Sequence, residues 1–189
     1  MDAAHSPAAH SSVVVQPAAF IRGREQGERR WFFGGGVHVW KAKAEETGGA
    51  FMMFEDQMTG GKMTPLHTHP DSDETMFILE GEILMHLDGT EHRIREGGLV
   101  VAPRGVPHAF MVTSPHARML CLHTPGCCQA FYWDASSPLD TDAGDGPVDF
   151  GKVQESARQN GGIELLGPPP FGPRRGQDGT ETKLPSGHR

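Results

Sequence analysis

Basic residues are scarce in this chain. Against 24 aspartates and glutamates there are 17 lysines and arginines in 189 residues, a formal charge of −7. Nucleic-acid binding draws on a basic face, so no nucleic-acid partner is expected. Long apolar runs are also missing: none approaches the roughly 18 residues of a membrane helix, so no membrane partner is expected. The opening stretch, MDAAHSPAAHSSVVVQP, lacks a basic n-region and an apolar h-region, which argues against a signal peptide. Cysteine is limited to Cys121, Cys127 and Cys128, an odd number without a repeating framework. That fits a reducing, cytoplasmic setting. Cys127 and Cys128 are adjacent and cannot easily chelate one metal together, so they read as filler or a surface thiol. Tyr132 is the only tyrosine, a single candidate for phenolic acid chemistry.

What is abundant is glycine, proline and histidine, at 25, 15 and 11 residues. The length suits one hydrophobic core rather than two. Residues 1–22 are Ala/Ser/Pro-rich and read as a flexible N-terminal tail. Between them and residue 135, short apolar or alternating runs follow one another: 35–43, 50–58, 74–97, 99–103, 108–112 and 117–124. Glu80-Gly81 splits the longest of these, and Asp88-Gly89 is the dipeptide that a two-residue hairpin prefers. Many short strands punctuated by Gly and Pro predict an all-β sandwich or barrel over 23–135. A C-terminal extension over 136–170 carries one helix, with Asp149 as N-cap and Asn160-Gly161-Gly162 as stop. Phe150, Val153 and Ala157 give it one apolar face. The polar stretch 171–189 reads as a disordered tail.

The stretch PLHTHPDSDETMFILEGEI, Pro65 to Ile83, carries the chemistry. Successive strand side chains alternate faces, so His67 and His69 point the same way and can offer two imidazoles to one cation. The spacing alone is weak. Glu74 follows a turn-rich PDSD and opens an apolar strand, where an inward carboxylate without a partner is costly. His108 follows Pro103 and Gly105 and opens another apolar strand, raising the same question.

Both segments fit a known pattern. The chain reads Gly61-x5-His67-x-His69-x4-Glu74-x6-Gly81, then Gly97-x5-Pro103-x-Gly105-x2-His108. These resemble the two signature motifs of the cupin superfamily, with every spacing in register. One position departs: the second motif commonly ends in Asn four residues after its histidine, and here Val112 stands there. The resemblance covers about residues 31–128. It implies an antiparallel jelly-roll barrel whose interior holds a divalent transition metal on His67, His69, Glu74 and His108. Three imidazoles and a carboxylate suit Fe, Mn, Ni, Co, Cu or Zn without ranking them. An octahedral ion would keep two positions for substrate and dioxygen.

Strand parity extends the site. If Glu74 and His108 face inward, so do Met76, Ile78, Phe110 and Val112, and Phe51 with Met53 share one face that can be the same interior. These six predict an apolar substrate pocket, suited to a flat or bulky aromatic ligand. An ordinary barrel core explains each residue singly as well. Arg104 reads as a solvated turn residue, and His86 and His92 as solvated flanks of the hairpin. His123 reads as a surface or core histidine with some reach toward the barrel mouth. Trp31, Trp40 and Trp133 read as anchors of the outside or of a dimer interface.

In outline, with FFGGGVHVWKAKAEETGGAF before the motifs and GGIELLGPPPF after them, the chain is similar to single-domain, quercetin 2,3-dioxygenase-like cupins. That likeness implies a metal-dependent dioxygenase cleaving a flavonol-like or other aromatic enol, with Glu74 as catalytic proton acceptor and a homodimeric assembly. Two alternatives stay open: a cupin polyketide cyclase or isomerase using the metal as Lewis acid, and a non-catalytic small-ligand-binding cupin.

Overall fold

A computed structural model describes residues 17–139 and 146–172. Most of the expected tails, 1–22 and 171–189, falls outside the described residues. Twelve strands and two α-helices are defined within them. The strands are β1 (Arg29–Phe32), β2 (Val37–Ala42), β3 (Met52–Thr59), β4 (Leu66–Thr68), β5 (Asp73–Glu80), β6 (Glu82–Leu87), β7 (Thr90–Arg95), β8 (Leu99–Ala102), β9 (His108–Val112), β10 (His116–Thr124), β11 (Ser136–Pro138) and β12 (Glu164–Gly167). The helices are α1 (Gln129–Asp134) and α2 (Phe150–Asn160).

Two sheets form. One has seven strands in the order β11-β1-β2-β3-β10-β5-β8, the other five in the order β12-β4-β9-β6-β7. Every named pairing is antiparallel. The order departs from chain order because β10 inserts between β3 and β5, and β9 between β4 and β6. These crossovers bring segments distant in sequence side by side. This is the all-β architecture that the run of short strands predicts, and the antiparallel jelly roll that the resemblance to cupins implies.

Local chemistry fixes the turns. Asp88 and Gly89 both hold positive φ, 48° and 80°. That is the turn whose twist matches flanking antiparallel strands, and Leu87 pairs with Thr90 across it. Between the sheets, Trp40, Met52, Phe54, Met76, Ile78, Ile83, Met85 and Met119 are almost wholly buried. Each such side chain contributes about 1.5–3 kcal/mol of hydrophobic stabilisation.

The structure differs from the sequence expectation for tryptophan. Trp40 sits inside the core and meets Trp133 edge-on at 5.5 Å. Its neighbours on β2 are buried on both faces, so the strand lacks the polar face that would mark an outer wall.

The C-terminal extension is woven into both sheets. Its first strand, β11, pairs with β1, and its last, β12, pairs with β4. Asp149 caps α2, its side chain accepting from the Lys152 N–H. Val153 is buried against the core, but Phe150 is 43% exposed. The turn after α2 requires glycine at 162. Its φ is +77°, and a Cβ there would stand 2.8 Å from Cα of Cys128.

Candidate metal centre

His67, His69, Glu74 and His108 are all buried, and one potential ligand atom from each lies within 4.8 Å of the others. Bonds of about 2.1 Å set neighbouring ligands of one ion ~3 Å apart and opposed ones ~4.2 Å apart, so the group has the dimensions of a metal shell. Three strands build it, with His69 immediately after β4. His67 on β4 is the register partner of His108 on β9, while Glu74 opens β5 in the facing sheet.

Backbone hydrogen bonds decide which nitrogen each ring presents. Nδ1 of His67 donates to the Pro65 carbonyl at 2.8 Å, Nδ1 of His108 to Val106 at 2.9 Å, and Nδ1 of His69 to Gly162 at 2.7 Å. With Nδ1 so engaged, each ring turns Nε2 inward, the nitrogen that carries the lone pair in this tautomer. Those lone pairs meet an anion: Oε2 of Glu74 is 2.9 Å from Nε2 of His108 and 3.2 Å from Nε2 of His69. Acceptors facing acceptors at these distances require a cation or an added proton between them. Among the described residues, Nε2 of His69 makes no hydrogen bond. The donor set fits a divalent transition metal, with carbonyls on Nδ1 fixing ring orientation.

The local field agrees. Burial, with His108 and His69 adding to it, pushes His67 well below the ordinary imidazole range, so it is neutral and ready to ligate. Burial opposes the charge on Glu74, but His123, His108 and His69 outweigh it and hold its carboxyl well below the usual range. Glu74 is thus a carboxylate at neutral pH.

The centre opens into a cavity of about 50 Å³. Of the six pocket residues expected from parity, Phe110 lines it. Met76, Ile78 and Val112 do not: they face inward, as parity requires, but pack into the core. Phe51 and Met53 are corrections as well. They lie on the opposite face of the seven-stranded sheet, in a groove with Phe20 and Leu120. The run Phe51-Met52-Met53-Phe54 is apolar on both faces, so polarity could not choose between them, and Met52 and Phe54 are the buried pair.

Sequence reasoning missed most of the lining. Phe32, Phe54, Phe131 and Tyr132 form an aromatic wall, and His38, Asp56 and Lys62 add polar groups. His38 and Asp56 are register partners on β2 and β3, so polar residues within apolar strand runs were the available signal. Tyr132 is buried, and its hydroxyl is pushed well above the ordinary range by burial and then by Glu74. Arg104 is exposed and paired with Asp73. Cys121 and Cys128 are buried and Cys127 exposed.

The family model for the cupin domain matches residues 53–123, a span containing all four candidate ligands. This chain contains a cupin domain. Quercetin 2,3-dioxygenase of Bacillus subtilis (strain 168) is 30% identical over 117 residues, 61% of this chain and 34% of that protein. Germin-like protein subfamily 2 member 4 of Arabidopsis thaliana is 33% identical over 78 residues, 39% of this chain and 35% of that one. The chain spans between a third and about half of the length of the curated relatives it matches. Two solved structures agree in fold, each with a TM-score of 0.51. They are an RmlC-like cupin from Shewanella frigidimarina, 18% identical, and a predicted oxalate decarboxylase from Thermotoga maritima, 20% identical. The first match covers 59% of this chain and 96% of that one, the second 57% and 99%. No helix among the described residues is long and apolar enough to cross a membrane.

Proposed function

We infer that this cupin is a metal-dependent dioxygenase acting on an aromatic enol of the flavonol type. The observation that carries the reading is the position of the candidate centre: His67, Glu74 and His108 line a cavity that Phe32, Phe54, Phe110, Phe131 and Tyr132 also line. Likeness to a quercetin 2,3-dioxygenase over 61% of the chain supports the substrate class.

A bound divalent metal would supply Lewis-acid stabilisation of the substrate enolate and a meeting point for substrate and dioxygen. The chain's own residues do the rest. Oε2 of Glu74 faces the histidines, while Oε1 lies on the His123 side, 3.5 Å from its Nε2. The carboxylate therefore has an oxygen to accept the enol proton while the other keeps its place among the imidazoles. Phe54 and Phe110 flank the flat substrate and exclude water, which strengthens every charge interaction inside. The electron-rich enolate then reacts with dioxygen and the ring opens.

The cavity has room for only about four waters at ~10–15 Å³ each, so a three-ring substrate must enter by displacing part of the wall. Phe150, Val153 and Leu165 separate the cavity from an outer groove, and Phe150, half exposed, is the member least held by packing. The test is metal analysis of the purified protein, followed by oxygen uptake with a flavonol panel in air and under nitrogen. Metal-dependent uptake with ring cleavage is expected. Turnover of an enol or polyketone under nitrogen, or flavonol binding without turnover in the metal-loaded protein, would replace the dioxygenase reading.

A further inference from the structure

The metal centre does not account for the polar groups elsewhere on the cavity wall. Lys62 and Asp56 form an ion pair, Nζ to Oδ2 at 2.5 Å, with side chains only 5% and 4% exposed. A buried pair of this kind is costly to desolvate and is weak evidence of a stabilising role. The Lys62 backbone is fixed: its carbonyl accepts from the Val112 N–H, and the preceding Gly61 N–H donates to Val112. The ammonium has three donors. Asp56 takes one, leaving two without a protein acceptor among the described residues. Instead Nζ stands over the rings of Phe32 and Phe110, 5.6 and 5.7 Å from their centroids, both on the cavity wall.

His38 completes the arrangement. Its ring is stacked between Phe32 at 4.6 Å and Phe54 at 4.1 Å, nearly parallel to both. Its Nε2 is 3.7 Å from Oδ1 of Asp56, and that oxygen and Nδ1 of His38 are both buried without hydrogen bonds among the described residues. The result is a three-ring aromatic stack with a held ammonium beside it, on the same cavity as His67, Glu74 and His108.

We propose that Lys62, held by Asp56 and flanked by the Phe32–His38–Phe54 stack, is a second substrate anchor that donates hydrogen bonds to a phenolic or carbonyl oxygen remote from the metal-bound one. This rests on the aromatic-enol reading and narrows it. The substrate is a flat aromatic with at least two separated oxygen functions, one for each anchor. Unsubstituted rings leave the ammonium unsolvated and are discriminated against.

The experiment compares quercetin, hydroxylated on both ring systems, with 3-hydroxyflavone, which keeps the enol and its adjacent carbonyl but lacks the remote hydroxyls. Binding to the metal-loaded protein is read anaerobically from the flavonol absorbance shift, with metal content measured alongside. Wild type is expected to bind quercetin more tightly. Lys62→Met, and Lys62→Met with Asp56→Asn so that no buried charge is left alone, are expected to weaken quercetin by about tenfold or more and 3-hydroxyflavone by less than about twofold, at unchanged metal content. Equal wild-type affinities, equal losses for both ligands, or a fall in metal content overturns the anchor. Oxygen uptake without this selectivity overturns the anchor and keeps the dioxygenase reading. Selective binding without oxygen uptake does the reverse. Binding of neither flavonol overturns both.

Discussion

Glu74 and His123 are register partners across β5 and β10, and Nε2 of His123 stands 3.5 Å from Oε1 of Glu74. His123 is fully buried, and neither ring nitrogen makes a hydrogen bond among the described residues. With His69 and Cys128 it also forms a second close group of potential ligands. Glu74 is therefore flanked by imidazoles on both sides, two on Oε2 and one on Oε1.

His123 makes the metal-free protein acid-sensitive. Burial drives its pKa from about 6.5 down to about 3. Above pH 6.5 the ring is neutral folded or unfolded. Below that, the unfolded chain takes up a proton that the folded state refuses. Stability falls as pH drops, by about 1.4 kcal/mol per pH unit from this group, until the folded ring also protonates near pH 3. Urea midpoints between pH 7 and 4 are expected to show the decline, and His123→Asn to flatten it by about one proton. An unchanged slope in that variant would assign the sensitivity to other groups, such as His67.

Removing a ligand empties the centre. Glu74→Gln and His108→Ala are expected to lower both bound metal and turnover, read by elemental analysis and initial rates. Either variant retaining full metal and full rate would remove that residue from the ligand set.

The Gly162 carbonyl is a positioning group for His69. Gly162→Ala adds a Cβ 2.8 Å from Cα of Cys128 at a φ of +77°, so the carbonyl must move off Nδ1. Loss of such a partner costs about 10–100-fold in metal affinity. A competitive chelator titration measures this, and wild-type affinity in the variant would show that His69 is oriented without the C-terminal segment.

Phe150 divides the cavity from the outer groove. Phe150→Ala is expected to raise kcat/KM for bulky flavonols several-fold and leave metal content unchanged, because it touches no ligand. A loss of activity at full metal loading would place the entry route elsewhere.

Adding metal is expected to raise Tm. A cation that binds only the folded state stabilises it by about 2.7 kcal/mol at a hundred times its dissociation constant. Thermal melts with and without a chelator check this, and superimposable curves would argue against a folded-state metal site.

The strands and the four metal-ligand candidates were legible because each depends on local patterning. Turn dipeptides such as Asp88-Gly89 act within a few residues, and motif spacing carries His67, His69, Glu74 and His108 as a set. Parity also placed Met76, Ile78 and Val112 facing inward. It could not say how deep each lies, and depth separates a core residue from a cavity wall. Phe51 and Met53 went to the wrong face because their strand is apolar on both sides at that point.

By itself, then, the sequence determined the all-β architecture, the hairpin and the ligand types, since alternation, turn preference and donor chemistry are properties of short segments. Tertiary structure alone decided that Gly162 holds His69, that His123 backs Glu74, and that Lys62 and Asp56 line the same cavity as the candidate metal centre. Those relations join residues up to 93 positions apart in the chain. They arise from strand crossovers and from where a C-terminal segment comes to rest, which no local pattern encodes.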